Sequence, residues 1–443
     1  MRTLAFQSLR NQTSQALLIV TVSVALALMY GTGRLNQIVM LGGLILFCLL
    51  VWDLRLVIPL QLVLVPLGPR YEMWFGNLYV ATPVMIIACV AWFVRNLLKP
   101  APFSFPRNPI IPAIGVFLII LALSALQDLA ALTYDMPLLL KFIQFFFYSA
   151  LFAMVFQMEL SRKFIKGMLV LAILVGLAEG IIGAGQWITN PGYFVTGTFA
   201  GRHSSFAVYA VFIGILLLGV LFETRSVLLA AGLTAGLGIL IYSLIFSFSR
   251  TGYISIGAGL IVFLCLPLSR WRKTGLLVTG SAIVLVAFLL IPEDIRERAG
   301  SIVANLSGND IGISVQERLT MWREVVHDVQ SYPILGRGAW TYAIKDNFFL
   351  KVLGEAGIVG LAAFIWLLST ILRQEWKAMR MKIDDSFVRG ITLGLIPATI
   401  ACLIVFSLSA DLIGIHRFMA TFWIVLGLTQ RYCISCGPGA SDA

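Results

Sequence analysis

The chain has 443 residues, of which 59% are hydrophobic and only 12% charged, with a formal net charge of +11. A soluble globular chain carries about 45–50% apolar and about 25% charged residues, so this composition excludes one. Long continuous apolar runs exclude a membrane β-barrel, whose strands alternate, and leave an all-α polytopic integral membrane protein.

Taken in chain order, apolar stretches long enough to cross a bilayer fall near residues 15–31, 37–52, 54–67, 78–94, 110–127, 138–157, 164–188, 206–222, 227–247, 252–268, 275–291, 348–372, 390–408 and 413–430. They predict about 12 to 14 transmembrane helices. The second and third are short and read as one broken span or a re-entrant pair. The first dozen residues carry Arg2 and Arg10 but no short apolar core ending in small residues. The first hydrophobic segment is therefore read as a retained span, not a cleaved signal. The expected organisation is helices with short loops over 1–291, one large loop over 292–347, further spans over 348–430 and a short tail over 431–443.

That loop contains "SVQERLTMWREVVHDVQ", residues 314–330, where Val315, Leu319, Trp322 and Val326 recur at helical spacing. Arg318 lies close to that apolar face, and Ser314 with Glu317 three residues on reads as a capping box. Of the six cysteines, Cys48, Cys89, Cys265 and Cys402 lie in apolar segments and read as small core residues. Cys433 and Cys436 form a lone CxxC, half a zinc site at most.

The positive charge reads as topology and not as a nucleic-acid surface, because basic residues gather in cytoplasmic loops. With the N-terminus inside, the inner loops hold Arg95, Lys99 and Arg107, then Arg162, Lys163 and Lys166, then Arg270, Arg272 and Lys273, and finally Arg373, Lys377, Arg380, Lys382 and Arg389. Both termini come out cytoplasmic. The same count places Arg70, Asp128, Asp135, Arg202, His203, Arg250, Arg318, Arg337, Asp346, Asn347 and Asp411 on the outer side.

Basic residues on that side run against the bias. Snorkelling to lipid headgroups accounts for any one of them. For the set, arginines beside small residues ("AGRHSS", "FSRTG") or on the loop helix suit a diphosphate, whose oxygens accept bidentate guanidinium hydrogen bonds. His203, His327 and His416 lack metal-ligand spacing, and the sequence contains no P-loop. The inventory therefore points to group transfer without a metal or cofactor, using arginines on a leaving diphosphate and one base for an acceptor hydroxyl.

Three stretches, "TGTFAGRHSSFAVYAVF" (196–212), "FSFSRTGYISIGAGLIVF" (246–263) and "QERLTMWREVVHDVQSYPILGRGAWTYAIKDNFFLKVLGEAGIVGLAAF" (316–364), together resemble the O-antigen polymerase and ligase superfamily of membrane glycosyltransferases. The last is the most specific, with an Arg-x-x-x-Trp helix, a Pro-x-x-Gly-x-Gly turn and a polar pair opening a span that contains Glu and Gly-x-x-Gly. The resemblance implies a GT-C-like bundle in the bacterial inner membrane with one large periplasmic loop. It also implies transfer of a glycan from an undecaprenyl-diphosphate carrier on the periplasmic face, among membrane lipids and alongside a chain-length regulator and a flippase. By it, Arg318, Arg202 and Arg250 contact the diphosphate.

Ligases of the family carry His-Asn where this chain has Asp346-Asn347, and polymerase-like relatives resemble the Asp-Asn form. The expected function is a polysaccharide polymerase, with Asp346 or His203 as base and Asn347, Glu355 and Arg337 in support. Asp346 or Asn347 as a plain helix cap is the competing reading of that pair. Glu355 reads either as paired with a basic group inside the bundle or as the floor of the acceptor cleft. Two other functions stay open: a ligase acting on lipid A core or protein, and a transporter of lipid-linked glycan. A transporter predicts repeated halves with broken helices at mid-membrane, whereas the polar residues here gather on one face.

Overall fold

A computed structural model describes residues 35–68, 70–73, 76–79, 81–98, 108–130, 136–199, 203–267, 313–338, 347–411 and 415–436. The spans expected near 15–31 and 275–291 lie outside the described residues, as do residues 292–312 and 339–346 of the expected loop and the end of the tail.

The described chain is helical because its segments are long, apolar and locally capped. In order, the helices are α1 (Leu35–Trp52), α2 (Val57–Leu67), α3 (Ala81–Leu97), α4 (Ile110–Ala130), α5 (Met136–Gln157), α6 (Arg162–Thr189) and α7 (His203–Glu223). They continue as α8 (Val227–Ile245), α9 (Arg250–Cys265), α10 (Ile313–Ser331), α11 (Phe348–Arg380), α12 (Ser386–Thr399) and α13 (His416–Ser435). Past Thr399, α12 runs on as a π-helical and then a 3-10 turn to Leu408. Ser161, Ser226, Ser249, Asn347 and Asp385 each cap a helix by accepting backbone N–H groups of its first turn. Such caps contribute about 1 kcal/mol each.

Among the described residues, five helices are long and apolar enough to cross a membrane, and six with α1 and α2 taken as one span bent by 118°. The short pair near 37–67 is thus a sharply broken element. Shorter apolar stretches lie within α3, α4, α5 and α9. One antiparallel hairpin, β1 (Arg70–Met73) with β2 (Gly76–Tyr79), interrupts the helices, Arg70 facing Tyr79.

Helix α7 is the hub. Its residues are hydrophobic on every side and almost all buried, as expected of a helix enclosed by others. It packs on α12, where Gly219 meets Gly390 and Gly394 backbone to backbone, the small-residue contact that membrane helices use for close approach.

The ionic contacts divide the bundle into two ends. At one, Lys166 donates to Asp385 at 2.6 Å, Arg389 to Glu223 at 2.6 Å, and Arg162 to the Ser435 carbonyl. We call this the basic end. At the other, α7, α9, α11 and α13 begin, and the sequence motifs collect there. We call that the motif end.

Burial pushes the Asp385 carboxyl up, but Lys166 and the N–H groups of Phe387 and Val388 outweigh it and hold it below the usual carboxylate range. A depressed carboxylate stabilises the fold above its unfolded pKa, and that contribution is lost as pH falls through the folded one. The wild type should therefore melt above Asp385→Asn at pH 7, and the gap should narrow in detergent melts as the pH falls below the ordinary carboxylate range. A gap that persists at low pH would show that the carboxylate charge is not what stabilises this end.

Candidate functional site

The site is built on a broken helix. Helix α11 carries Gly357 at φ 66° and ψ −166°, a backbone conformation that essentially only glycine adopts. The break interrupts the helical hydrogen bonds, and inside a membrane protein such groups must find other partners. The Pro-x-x-Gly-x-Gly turn supplies them. The N–H groups of Arg337 and Gly338 donate to the Gly354 and Glu355 carbonyls at 2.9 and 3.3 Å. Ile358 and Val359 donate in return to Pro333 and Ile334 at 2.9 and 3.3 Å. Gly336, at φ 71°, lies so close that an added Cβ would fall under 3.0 Å from the Glu355 backbone, and one at Gly357 under 3.0 Å from Ile334. Gly336 and Gly357 let the two backbones touch.

This strap anchors the loop helix. In α10, Val325 is fully buried and packs with Val329 and Leu350, the last on α11. Arg337 in the strap donates to Asp328 of α10 at 2.9 Å. The helix expected over 314–330 is present, beginning at Ile313, so Ser314 lies within its first turn and not before it. Its inner face differs from the expected one: Val326 is 50% exposed and Val325 is inside. Trp322, Val325 and Val329 also obey helical spacing, and contact with Leu350 selects that stripe.

Asn347 caps α11, its side chain accepting the Leu350 N–H at 3.0 Å, so the cap reading holds for this residue. One and two turns on, Lys351 and Glu355 are 3% and 1% exposed. Lys351 pairs with Asp411 at 2.8 Å and lies 4.0 Å from the Glu355 carboxylate. Glu355 is therefore buried beside a basic group, the first of its two expected placements. Asp411 follows Ser409, which hydrogen-bonds Thr251 at 2.5 Å, next to the exposed Arg250 at the start of α9. Before Arg250, Phe248 holds a positive φ of 56°, which is strained for a bulky residue. Its ring contacts Trp187 and Phe194, and Phe194 stacks on His203 with centroids 5.1 Å apart. Ring contacts and one hydroxyl pair thus join Arg250, Asp411, Lys351 and His203 at one end of the bundle.

Asp346 and Arg202 lie outside the described residues, and Arg318 is described only as a backbone position on α10. The sequence reading passed over Glu179 and Arg417, both buried at this end. The signal was present in each case, since an ionisable residue within an apolar run asks for a partner.

Residues 235–365 match a family model described as O-antigen ligase. Over that segment the chain is similar to the O-antigen ligase family. Comparison with curated proteins finds no match. The matched segment runs from α8 through Arg250, the loop helix and the strap into α11, and so includes the break at Gly357. It leaves out His203, Glu179, Asp411 and Arg417, which reach the same end from other parts of the chain.

If the strap is what fixes the loop helix, Gly357→Val should release it. Amide exchange at Arg337 and Gly338 should rise by at least tenfold while the first half of α11 stays protected. Unchanged exchange there would mean that α10 is held by Val325 and Asp328 alone.

Proposed function

We propose that this protein is a polysaccharide polymerase that moves a glycan from an undecaprenyl-diphosphate carrier onto a lipid-linked repeat unit. The work takes place on the periplasmic face of the bacterial inner membrane and needs no metal. The observation that carries the reading is the strap: it holds the Arg318 helix against the helix that opens with Asp346-Asn347. Arg250 and His203 come to the same end through the contacts around Phe248.

In the proposed step, Asp346 accepts the proton of an acceptor hydroxyl, whose oxygen attacks the anomeric carbon. The bond from that carbon to the diphosphate breaks, and undecaprenyl diphosphate leaves with its electron pair. Arg318, Arg202 and Arg250 stabilise the charge that grows on the leaving group, where fixed donors act most strongly. His203 is the alternative base. Asn347, as cap, holds the first turn of α11 and with it the backbone beside Asp346. Glu355 and Arg337 support that arrangement, Glu355 beside Lys351 and Arg337 in the strap. The basic end, with its surface lysines and arginines, faces the cytoplasm in this reading.

A ligase is the second reading, favoured by the description of the matching family model. Aspartate in place of the ligase histidine favours the polymerase.

The decisive assay supplies purified protein with a lipid-diphosphate-linked repeat unit and measures glycan length. Wild type should build a ladder, and Asp346→Asn should lower it by about 100-fold or more, the usual worth of a general base. A ladder surviving the substitution moves the base to His203. Transfer seen only with lipid A core added would make the protein a ligase. Arg318→Ala should abolish the ladder in a folded, inserted protein. Arg250→Lys should also damage it, because a lysine cannot form the bidentate fork. Full activity in either variant would remove that arginine from the clamp.

A further inference from the structure

Residues 196–199, "TGTF", form a turn gripped from three sides by side chains of the bundle. Gln186 of α6 accepts the N–H groups of Thr196 and Gly197 at 3.1 and 2.9 Å and donates to the Gly197 carbonyl at 2.6 Å. Glu179, two turns deeper on α6 and fully buried, accepts from the Thr198 N–H at 3.0 Å and from its hydroxyl at 2.5 Å. Arg417 of α13, 3% exposed, donates to the Thr198 carbonyl at 2.8 Å. The same guanidinium donates to the Pro66 and Gly68 carbonyls at 2.8 and 3.1 Å and sits over the Phe199 ring at 5.1 Å. Phe199 N–H closes the turn on the Thr196 carbonyl at 3.0 Å. Every backbone polar group of residues 196–198 thus has a partner, and Gly197, at φ 54°, leaves no room for a Cβ against Glu179.

A surface turn needs none of this. Burying ionisable side chains is a poor source of stability, because desolvation offsets most of what they gain. Two intramembrane ionisable residues and an amide spent on one four-residue turn call for a reason in what the turn holds. Four residues after Phe199, α7 begins at His203, and Phe194, just before the turn, carries the ring on which the His203 imidazole stacks.

We infer that Gln186, Glu179 and Arg417 are positioning residues that lock the 196–199 turn and so fix the His203 imidazole at the motif end. The inference rests on the proposed function for its consequence in catalysis, and on geometry alone for the placement of His203. None of the three side chains touches substrate in this account; each acts through the turn.

The sequence contains only three histidines, so selective imidazole labelling gives a spectrum with three signals to assign. The test compares wild type, Gln186→Leu, His203→Ala and the double variant in nanodiscs. Gln186 is chosen over Arg417 because Arg417 adjoins His416 and would disturb a second signal. Gln186→Leu should shift or broaden the His203 resonance and leave those of His327 and His416 in place. It should also lower transfer about tenfold, while the double variant is no slower than His203→Ala alone. An unmoved His203 resonance, or losses that multiply, would overturn the inference. A wild type that shows no transfer would sink the proposed function, and the histidine spectrum would still decide whether the turn places His203. Should Gln186→Leu fail to fold, Gln186→Glu keeps both accepted N–H bonds and sets a carboxylate against the Gly197 carbonyl. Its His203 resonance should move in the same way, and one left in place would overturn the inference.

Discussion

The pairing of the strap 333–338 with the broken stretch of α11 is the contact on which the rest of this end depends. A helix break in a membrane bundle leaves N–H and C=O groups with no water to take them, at several kcal/mol for each group left over. Here four of those groups are met by the chain that has just left α10. The break and the strap therefore need each other: without the strap the break is unaffordable, and without the break the strap has nothing to bond. The consequence reaches outward. Because the strap is covalently continuous with α10, and Arg337 and Val325 tie α10 down again, the loop helix is held to the helix whose first turn Asn347 caps.

A second anchor works from another direction and by different chemistry. The turn at 196–199 is held by side chains where the strap is held by backbone. The strap is local in sequence, since it and α11 are near neighbours. The turn gathers α6, α13 and the end of α2, with Arg417 reaching carbonyls about 350 residues earlier in the chain. The two anchors fix the starts of α11 and α7, and the start of α9 is joined to both through Thr251–Ser409 and Phe248. Three helix starts are thereby set relative to one another, and His203 itself takes part through its stacking on Phe194.

How far this could be read from sequence depended on the kind of signal. The helices were legible because an apolar run of fixed length has few other uses, and the expected segments fall on α1 to α9 and α11 to α13, with α11 running on to Arg380 past its expected end near 372. The pair at 37–67 was legible as broken by its lengths, though not its 118° bend. The loop helix was legible, but its inner face was misread, because Val325 and Val326 both fit helical spacing and only a partner decides between them. The strap was visible as Pro and Gly spacing without its purpose, since backbone pairing leaves no mark on side-chain type beyond the glycines that permit it. Arg417 and Glu179 were missed although each interrupts an apolar run. Both fall inside the apolar runs at 164–188 and 413–430, away from the polar segments that join them.

The two ends of the bundle differ in how they hold charge, and that difference bears on where the chemistry is. At the basic end the Lys166–Asp385 and Arg389–Glu223 pairs each keep a half-exposed cation, the sort of contact worth roughly 0–1 kcal/mol. Such pairs ask for no function beyond topology. At the motif end Lys351, Glu355, Glu179 and Arg417 are almost wholly removed from solvent, and an apolar replacement would often be as stable or more so. Stability alone does not account for keeping them. Arg417 and Glu179 hold a turn that leads to His203, and Lys351 holds Asp411 near the start of α9, so each buried charge fixes backbone beside a residue of the proposed site. An end built to bind a charged substrate needs its own groups fixed before the substrate arrives, and that requirement explains costly burial at one end and inexpensive pairing at the other.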